Sequence, residues 1–277
     1  MPGIVLEKRY ERLRRIIGDI IIDRNSKNKR AIIAFSGGVD SSVVARIARD
    51  VSDDDNIIAV TIDSEIVHRR TIENSERIAD EIGIKHFVLR KNFLDNSRIV
   101  ENSIDRCYYC KKNIIREIKK FGKIYGVSVI LDGTNADDMN EFRPGIRALK
   151  EENVASPLAD AGIGKREVRE IARFLGLSNF NAASESCLAT RIPLNEKITY
   201  EKLRMVESAE EFLWKLGISY LRVRNFDGIA IIETLPEDIE KIIYKRDTIY
   251  DKLIDMGFRR VCVDIGGVLR KYRTLEI

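Results

Sequence analysis

The chain has 277 residues, 44% of them hydrophobic and 33% charged, with a formal net charge of +4 and a pI near 8.8. At roughly 150 residues per domain this length predicts two domains, and aliphatic residues spread along the whole chain exclude intrinsic disorder. The longest apolar stretches, Ile16-Ile17 and Ile20-Ile21-Ile22, are split by Asp19, far short of the ~20 apolar residues that a bilayer span needs. Residues 1–15 carry too much charge for a signal-peptide core, so a cytoplasmic protein is expected. The mild basic excess suits local anion sites better than the broad basic face of a duplex binder.

Leu6 to Ile22 reads as an amphipathic helix with a basic polar face. Ala31 to Phe35 is short and wholly apolar, the pattern of a buried parallel strand. A glycine turn leads from it into a helical pattern through Val43, Val44, Ile47 and Ala48. A second strand, Ile57 to Ile62, ends at Asp63. Helical periodicity through Ile72, Ile78, Ala79 and Ile82 then closes at Gly83. Lys85–Leu89 and Val127–Leu131 are the third and fourth strands. Strands alternating with helices of about 10–15 residues predict an α/β fold with a doubly wound parallel sheet. After Leu194 the pattern changes to a helix (Tyr200–Leu216), then strands Tyr220–Val223 and Ile229–Ile232 paired across an Asp227-Gly228 hairpin turn. A single helix, Ile239–Met256, and a last strand, Arg260–Ile265, follow. These predict a doubly wound α/β domain over 1–194 and a small α+β domain over 195–277.

Ser36-Gly37-Gly38-Val39-Asp40-Ser41-Ser42 lies between the first strand and its helix. Two glycines let successive N–H groups point at one spot, the hydroxyls of Ser36, Ser41 and Ser42 add donors, and a helix N-terminus favours an anion. Gly-Gly before a helix is by itself only a tight turn; the strand–loop–helix setting and the serines make it a pyrophosphate cradle. No Gly-Lys-Ser/Thr follows, so the loop is not Walker A. Asp40 fits an anion site only as a helix cap or facing a Mg²⁺ ion. Ligands of doubly wound sheets sit beyond the carboxyl ends of strands. That placement adds Asp63, after the second strand, and Gly133 and Thr134, in the Asp132–Asp138 segment after the fourth. The segment is otherwise an ordinary Asp/Asn/Gly turn. Arg143, just beyond it, is a candidate phosphate ligand.

The Ser-Gly-Gly-x-Asp-Ser signature resembles that of the PP-loop (ATP-pyrophosphatase) family, which implies a Rossmann-like fold and cleavage of ATP to AMP and pyrophosphate with adenylation of a substrate. A narrower resemblance covers nearly the whole chain. Asp105-Arg106-Cys107-Tyr108-Tyr109-Cys110-Lys111-Lys112 resembles the Arg-Cys-Tyr-x-Cys-Lys block of LarE-type sulfur transferases. Ser184-Glu185-Ser186-Cys187-Leu188-Ala189-Thr190-Arg191-Ile192-Pro193 resembles their Cys-Leu-x-Ser-Arg-Ile-Pro block, with Thr190 where serine is common. Arg222-Val223-Arg224, Gly228-Ile229-Ala230 and Glu233 resemble their C-terminal strand pair. The resemblance implies adenylation of a carboxylate of pyridinium-3,5-biscarboxylic acid mononucleotide and its conversion to a thiocarboxylate, a step in assembling the nickel-pincer nucleotide cofactor. It also implies substrate-binding roles for Arg191, Arg222, Arg224, Glu210 and Glu233. Guanidinium groups suit a substrate bearing carboxylates and phosphate, and Arg222 and Arg224 share one strand face. Glu185, with Asp40, is a candidate Mg²⁺ ligand. A homo-oligomer is expected.

Four cysteines in a cytosolic chain are not a disulfide framework. In the best-known type of the family a single cysteine in the Cys187 block donates its own sulfur. This chain adds Cys107 and Cys110, as does the three-cysteine branch, in which the corresponding thiolates bind a [4Fe-4S] cluster. Chemistry favours the same assignment, because three thiolates fix three irons and leave the fourth open to sulfide. Zinc is the rival, since Cys-x-x-Cys is also a zinc pair. Its fourth ligand would be the distant Cys262 or one of His68 and His86, and His86 lies inside a strand. For Cys262, between Val261 and Val263, a plain structural role is expected. A PP-loop tRNA thiolase with a three-cysteine cluster is the alternative function, but no clustered basic region or zinc motif for RNA is evident. An ATP-binding redox sensor, the third reading, would not turn ATP over. The sulfide donor is not legible in the sequence.

Overall fold

The computed structural model describes residues 2–21, 30–52, 56–127, 129–141, 143–183 and 185–268. Ile22, at the end of the expected first helix, Ser128, within the expected fourth strand, and Ser184 of the cysteine block lie outside them. In chain order the elements are α1 (Pro2–Ile21), β1 (Ala31–Ala34), α2 (Val39–Asp50), β2 (Ile57–Asp63), α3 (Arg69–Ile82), β3 (Lys85–Arg90), α4 (Ser97–Val100) and α5 (Arg106–Ile124). There follow β4 (Val129–Leu131), α6 (Ala136–Met139), α7 (Pro144–Glu151), α8 (Pro157–Asp160), α9 (Lys165–Phe174) and α10 (Tyr200–Lys215). Last come β5 (Leu221–Phe226), β6 (Ile229–Thr234), α11 (Pro236–Tyr244), α12 (Arg246–Asp255) and β7 (Arg260–Val263).

The chain divides into two compact units, one of Met1–Phe93 with Ile104–Glu185 and the other of Leu94–Ser103 with Ser186–Ile277. In the first unit, among the described residues, four strands form a parallel sheet in the order β3-β2-β1-β4. The apolar runs are buried because helices cover both faces, as parallel strands require. Ala31, Ile33, Ile57 and Ala59 face a core shared with Leu13, Ile17, Val43, Val44, Ile47, Ile78, Ile82, Val168 and Ile171, contributed by α1, α2, α3 and α9. Ile32 points the other way, toward α5, where a Cβ at Gly122 would lie 3.2 Å from its Cδ1. This is the predicted α/β, doubly wound, Rossmann-like architecture. His68 starts α3, its Nδ1 accepting from the Arg70 N–H at 3.2 Å, and Gly83 ends it at φ +72°. That positive φ is the left-handed cap anticipated for this glycine. The sheet order reverses at β1, whose neighbours are β2 and β4, so the loops after β1 and β4 flank the crevice where such folds bind ligands.

The second unit carries a sheet in the order β5-β6-β7, with β5 and β6 antiparallel and β6 and β7 parallel. Asp227 and Gly228 adopt φ +45° and +81°, which is the left-handed pair that a tight hairpin of this hand needs. Leu221, Val223, Ala230 and Ile232 pack with Ala209, Leu213, Ile242, Ile249 and Leu253. The expected helix 239–256 is two helices, α11 and α12, broken at Lys245 (φ −98°, ψ 16°); no glycine or proline marks that break. The second unit also begins earlier than residue 195. The buried Asn102 side-chain amide donates to the carbonyls of Pro193 (2.7 Å) and Ile192 (3.3 Å), and the Ile198 N–H donates to the Val100 carbonyl. Those bonds tie residues 94–103 and the cysteine turn to the same body.

Candidate active site

The Ser36–Ser42 loop is shaped by what its glycines permit. Gly37 sits at φ +71°, and a Cβ there would lie 2.7 Å from the Ser75 Cα, so only glycine fits. Asn74 and Asn179 donate to the Gly37 carbonyl at 3.1 and 2.8 Å, drawing that oxygen inward. Ser36 and Gly38 remain exposed at the mouth of the loop. Ser41 and Ser42 do not share that mouth. Both hydroxyls donate to the Gly38 carbonyl (3.1 and 2.9 Å), and Asn179 donates to the Ser42 Oγ at 3.0 Å. Ser41 Oγ also receives the Ser36 N–H at 3.3 Å. These two serines therefore fasten the start of α2 to the loop, a local hydroxyl-to-backbone bond of the kind that competes with ligand contact.

Asp40 lies in the first turn of α2 and accepts from Asn135 Nδ2 at 3.2 Å. Burial pushes its carboxyl above the ordinary range, and Asp138 adds to the rise, while the Asn135 bond, Lys165 and Arg169 oppose it. Beyond β4, Gly133 lies so close to α2 that a Cβ would stand 2.6 Å from the Ser41 nitrogen. Asp132 accepts from the Thr134 N–H (3.1 Å), the Thr134 hydroxyl (2.6 Å) and the Ser156 hydroxyl (2.7 Å). Asn135 and Asp138 cap α6 reciprocally. The segment after β4 thus supports the loop from below, and most of its polar groups are used internally.

A cleft of about 240 Å³ opens over the loop, lined by Ser36, Gly37, Gly38, Asp40, Thr71, Asn74, Lys165, Arg169 and Glu185 among others. Lys165 and Arg169, one helical turn apart at the start of α9, supply its cations. No sequence motif pointed to them; their four-residue spacing acquires meaning only because α9 packs beside α2. Arg169 is held by the Ala182 carbonyl at 2.9 Å and Asn181 Oδ1 at 3.3 Å. Lys165 Nζ pairs with Asp138 at 3.2 Å. Glu185 accepts from the Thr71 hydroxyl at 2.8 Å. Arg143, expected on a phosphate, is instead paired with Asp138 (3.0 Å) and Glu141 (2.8 Å). Asp63 is paired with Arg69 at 2.5 Å. Neither Arg143 nor Asp63 lines the cleft.

None of the four cysteines is in a disulfide. Cys107 and Cys110 occupy the first turn of α5 in the first unit, three residues apart on one helix face, and Arg106 Nη2 donates to Cys107 Sγ at 3.6 Å. Cys187 belongs to the second unit, where it opens a 3₁₀ turn, Leu188–Arg191. Cys262 is exposed on β7, and a buried structural role does not describe it. The expected substrate arginines separate. Arg191 makes a two-point pair with buried Glu210, and Arg224 does the same with buried Glu233 and also donates to the Thr190 carbonyl at 2.9 Å. Arg222, half-buried opposite Glu233 in the β5–β6 register, has no hydrogen-bond or ion-pair partner among the described residues.

The NAD synthase family, built on the same PP-loop, matches residues 9–108. Over longer spans the chain is 36% identical to an uncharacterized protein of Synechocystis sp. (95% of this chain, 96% of the relative) and 35% identical to one of Methanocaldococcus jannaschii (89% and 93%). It is 33% identical to the pyridinium-3,5-bisthiocarboxylic acid mononucleotide synthase of Lactiplantibacillus plantarum, over 86% of this chain and 87% of the relative. The chain belongs to the LarE family. It is therefore an ATP-dependent enzyme of the sulfur-transferase class, with ATP and Mg²⁺ as its family's requirements. No helix among the described residues is long and apolar enough to cross a membrane.

Proposed function

We propose that the protein adenylates a carboxylate of pyridinium-3,5-biscarboxylic acid mononucleotide with ATP and replaces the adenylate by sulfur. One observation carries this reading: exposed Ser36 and Gly38 face a cleft that also holds Lys165 and Arg169. The loop N–H groups and these two cations suit the β- and γ-phosphates, where charge builds up as pyrophosphate leaves. A carboxylate oxygen of the substrate attacks the α-phosphorus, the bond from that phosphorus to the bridging oxygen breaks, and pyrophosphate departs. A sulfur nucleophile then adds to the acyl carbon, and AMP leaves with one carboxylate oxygen.

Asp40 and Glu185 are the residues that would hold Mg²⁺. The fit lies in the donor set: the carboxylates of Asp40 and Glu185 line the same cleft, and the burial that raises the Asp40 carboxyl is a cost that a bound cation would offset. Cys107, Cys110 and Cys187 would hold a [4Fe-4S] cluster, which supplies an iron coordination position for exogenous sulfide. Two cysteines outside any disulfide, on one face of the first turn of α5, suit such ligation. Arg222, with its guanidinium unengaged, is the arginine we assign to the substrate's acidic groups. Incubation with this substrate and ATP labelled at the α- and γ-phosphates is expected to yield AMP and pyrophosphate. ADP and orthophosphate would refute the assignment. Lys165→Ala is expected to lower kcat/KM about 10–100-fold, the loss of one charge-assisted contact of about 1.5–3 kcal/mol.

A further inference from the structure

We propose that Arg191 is a positioning residue for the Cys187 thiol, gripping the turn that carries it while Glu210 fixes the guanidinium in place. The inference rests on the reading that Cys187 handles sulfur, and it replaces a substrate-binding role for Arg191. The side chains of Arg191 and Glu210 are 7% and 0% exposed. Arg191 Nε and Nη2 donate to the two Glu210 oxygens at 2.9 and 3.1 Å, and Glu210 Oε1 also accepts from the Val223 N–H at 2.9 Å. The carboxylate is thus anchored to β5 before it orients the arginine.

The remaining nitrogen does something an ordinary structural ion pair does not require. Arg191 Nη1 reaches the Ser186 carbonyl (2.8 Å), the Ser186 hydroxyl (2.7 Å), the Cys187 carbonyl (3.2 Å) and the Thr190 hydroxyl (3.1 Å). All four acceptors belong to the turn around the cysteine, so their N–H bonds are shared from a single point inside it. The Thr190 hydroxyl donates in turn to the Cys187 carbonyl at 2.7 Å, and Arg224 Nη1 holds the Thr190 carbonyl at 2.9 Å. The backbone on both sides of Cys187 is therefore fixed by two guanidiniums, each backed by a buried carboxylate. Every guanidinium nitrogen of Arg191 is engaged inside the second unit. A lysine carries the same charge but lacks the planar fork that spans Glu210 and the turn together.

The test uses the full-length protein as purified. Alkylation of Cys187 by iodoacetamide, without ATP or substrate, is followed by peptide mass spectrometry. Steady-state kinetics are measured in parallel for Arg191→Lys, Glu210→Gln and Arg222→Lys. For Arg191→Lys the Cys187 alkylation rate is expected to change severalfold. Its kcat is expected to fall by an order of magnitude or more, as for a displaced reacting group, while KM for the acidic substrate and ATP binding stay as in the wild type. Glu210→Gln, which keeps the shape and loses the charge, is expected to show the same signature more mildly, and it carries the test should Arg191→Lys fail to fold. Arg222→Lys is expected to raise KM and leave Cys187 alkylation unchanged. A raised KM with unaltered alkylation in Arg191→Lys or Glu210→Gln would overturn the proposal and return Arg191 to the substrate. Altered alkylation in those variants, with a wild type that transfers no sulfur, would uphold the positioning and refute the function.

Discussion

Asp40 shows how a single residue sets function against stability. Its carboxyl is raised chiefly by burial, so folding disfavours the ionised form relative to the unfolded chain. Below the unfolded value near pH 4 both states are protonated and the group costs nothing. As pH rises from there through the folded value, the ionised form is increasingly disfavoured in the native state, and above that value the penalty is constant. Asp40→Asn keeps the bond to Asn135 and removes the charge. It is expected to stabilise the protein at pH 7 by about 0.5–2 kcal/mol, with the gain shrinking as pH falls toward 4, while ATP cleavage is lost. Denaturant midpoints at several pH values measure this. A variant less stable than wild type at pH 7 would show that the ionised carboxylate is already compensated in the fold.

At the scale of elements, the site depends on how closely β4 can approach α2. β1 and β4 are neighbours, and the loop after each ends in the same crevice. Gly133 permits the contact, since a Cβ would lie 2.6 Å from the Ser41 nitrogen and 2.9 Å from the Asp40 carbonyl carbon, both backbone atoms that cannot move aside cheaply. Gly133→Ala is expected to cost about 1–3 kcal/mol, as overpacking does, and to weaken ATP binding by shifting the start of α2. Gly145→Ala is the contrast, with neighbours no nearer than 3.6 Å and a place in the first turn of α7. It is expected to be neutral or to stabilise by about 0.4–1 kcal/mol. Thermal melts and nucleotide titrations separate the two, and equal effects would show that the close approach does not hold the loop. Gly133 was legible in the sequence as a residue after a strand. Its role as a spacer was not, because the contact depends on which strands are neighbours.

For the molecule as a whole, the cysteines are the decisive test. Cys107 and Cys110 belong to the first unit and Cys187 to the second. Anaerobically purified protein is expected to lose iron and activity in each of the Cys107→Ser, Cys110→Ser and Cys187→Ser variants and to keep both in Cys262→Ser. Iron and sulfide analysis with product mass spectrometry checks this. Were Cys187 instead the sacrificial donor, it alone would matter, and it would lose about 34 Da, the mass of H₂S, as its thiol is removed. An active, iron-free Cys107→Ser variant would refute the cluster.

What the sequence determined by itself was local in character. Wholly apolar runs dictated buried parallel strands, Ser-Gly-Gly-x-Asp-Ser dictated a loop that only glycine can bend, and Asp227-Gly228 dictated a hairpin, because each depends on backbone geometry within a few residues. The tertiary structure decided which polar groups are left for ligands. Ser42 is claimed by Asn179, 137 residues away, and Arg191 by Glu210, so residues of the right chemistry are already engaged within the fold. Lys165 and Arg169, carried by no motif, line the cleft because α9 packs beside α2. A hydrogen-bonding group has a fixed number of donors and acceptors, and which partner takes them depends on positions in space that periodicity and spacing along a chain do not encode.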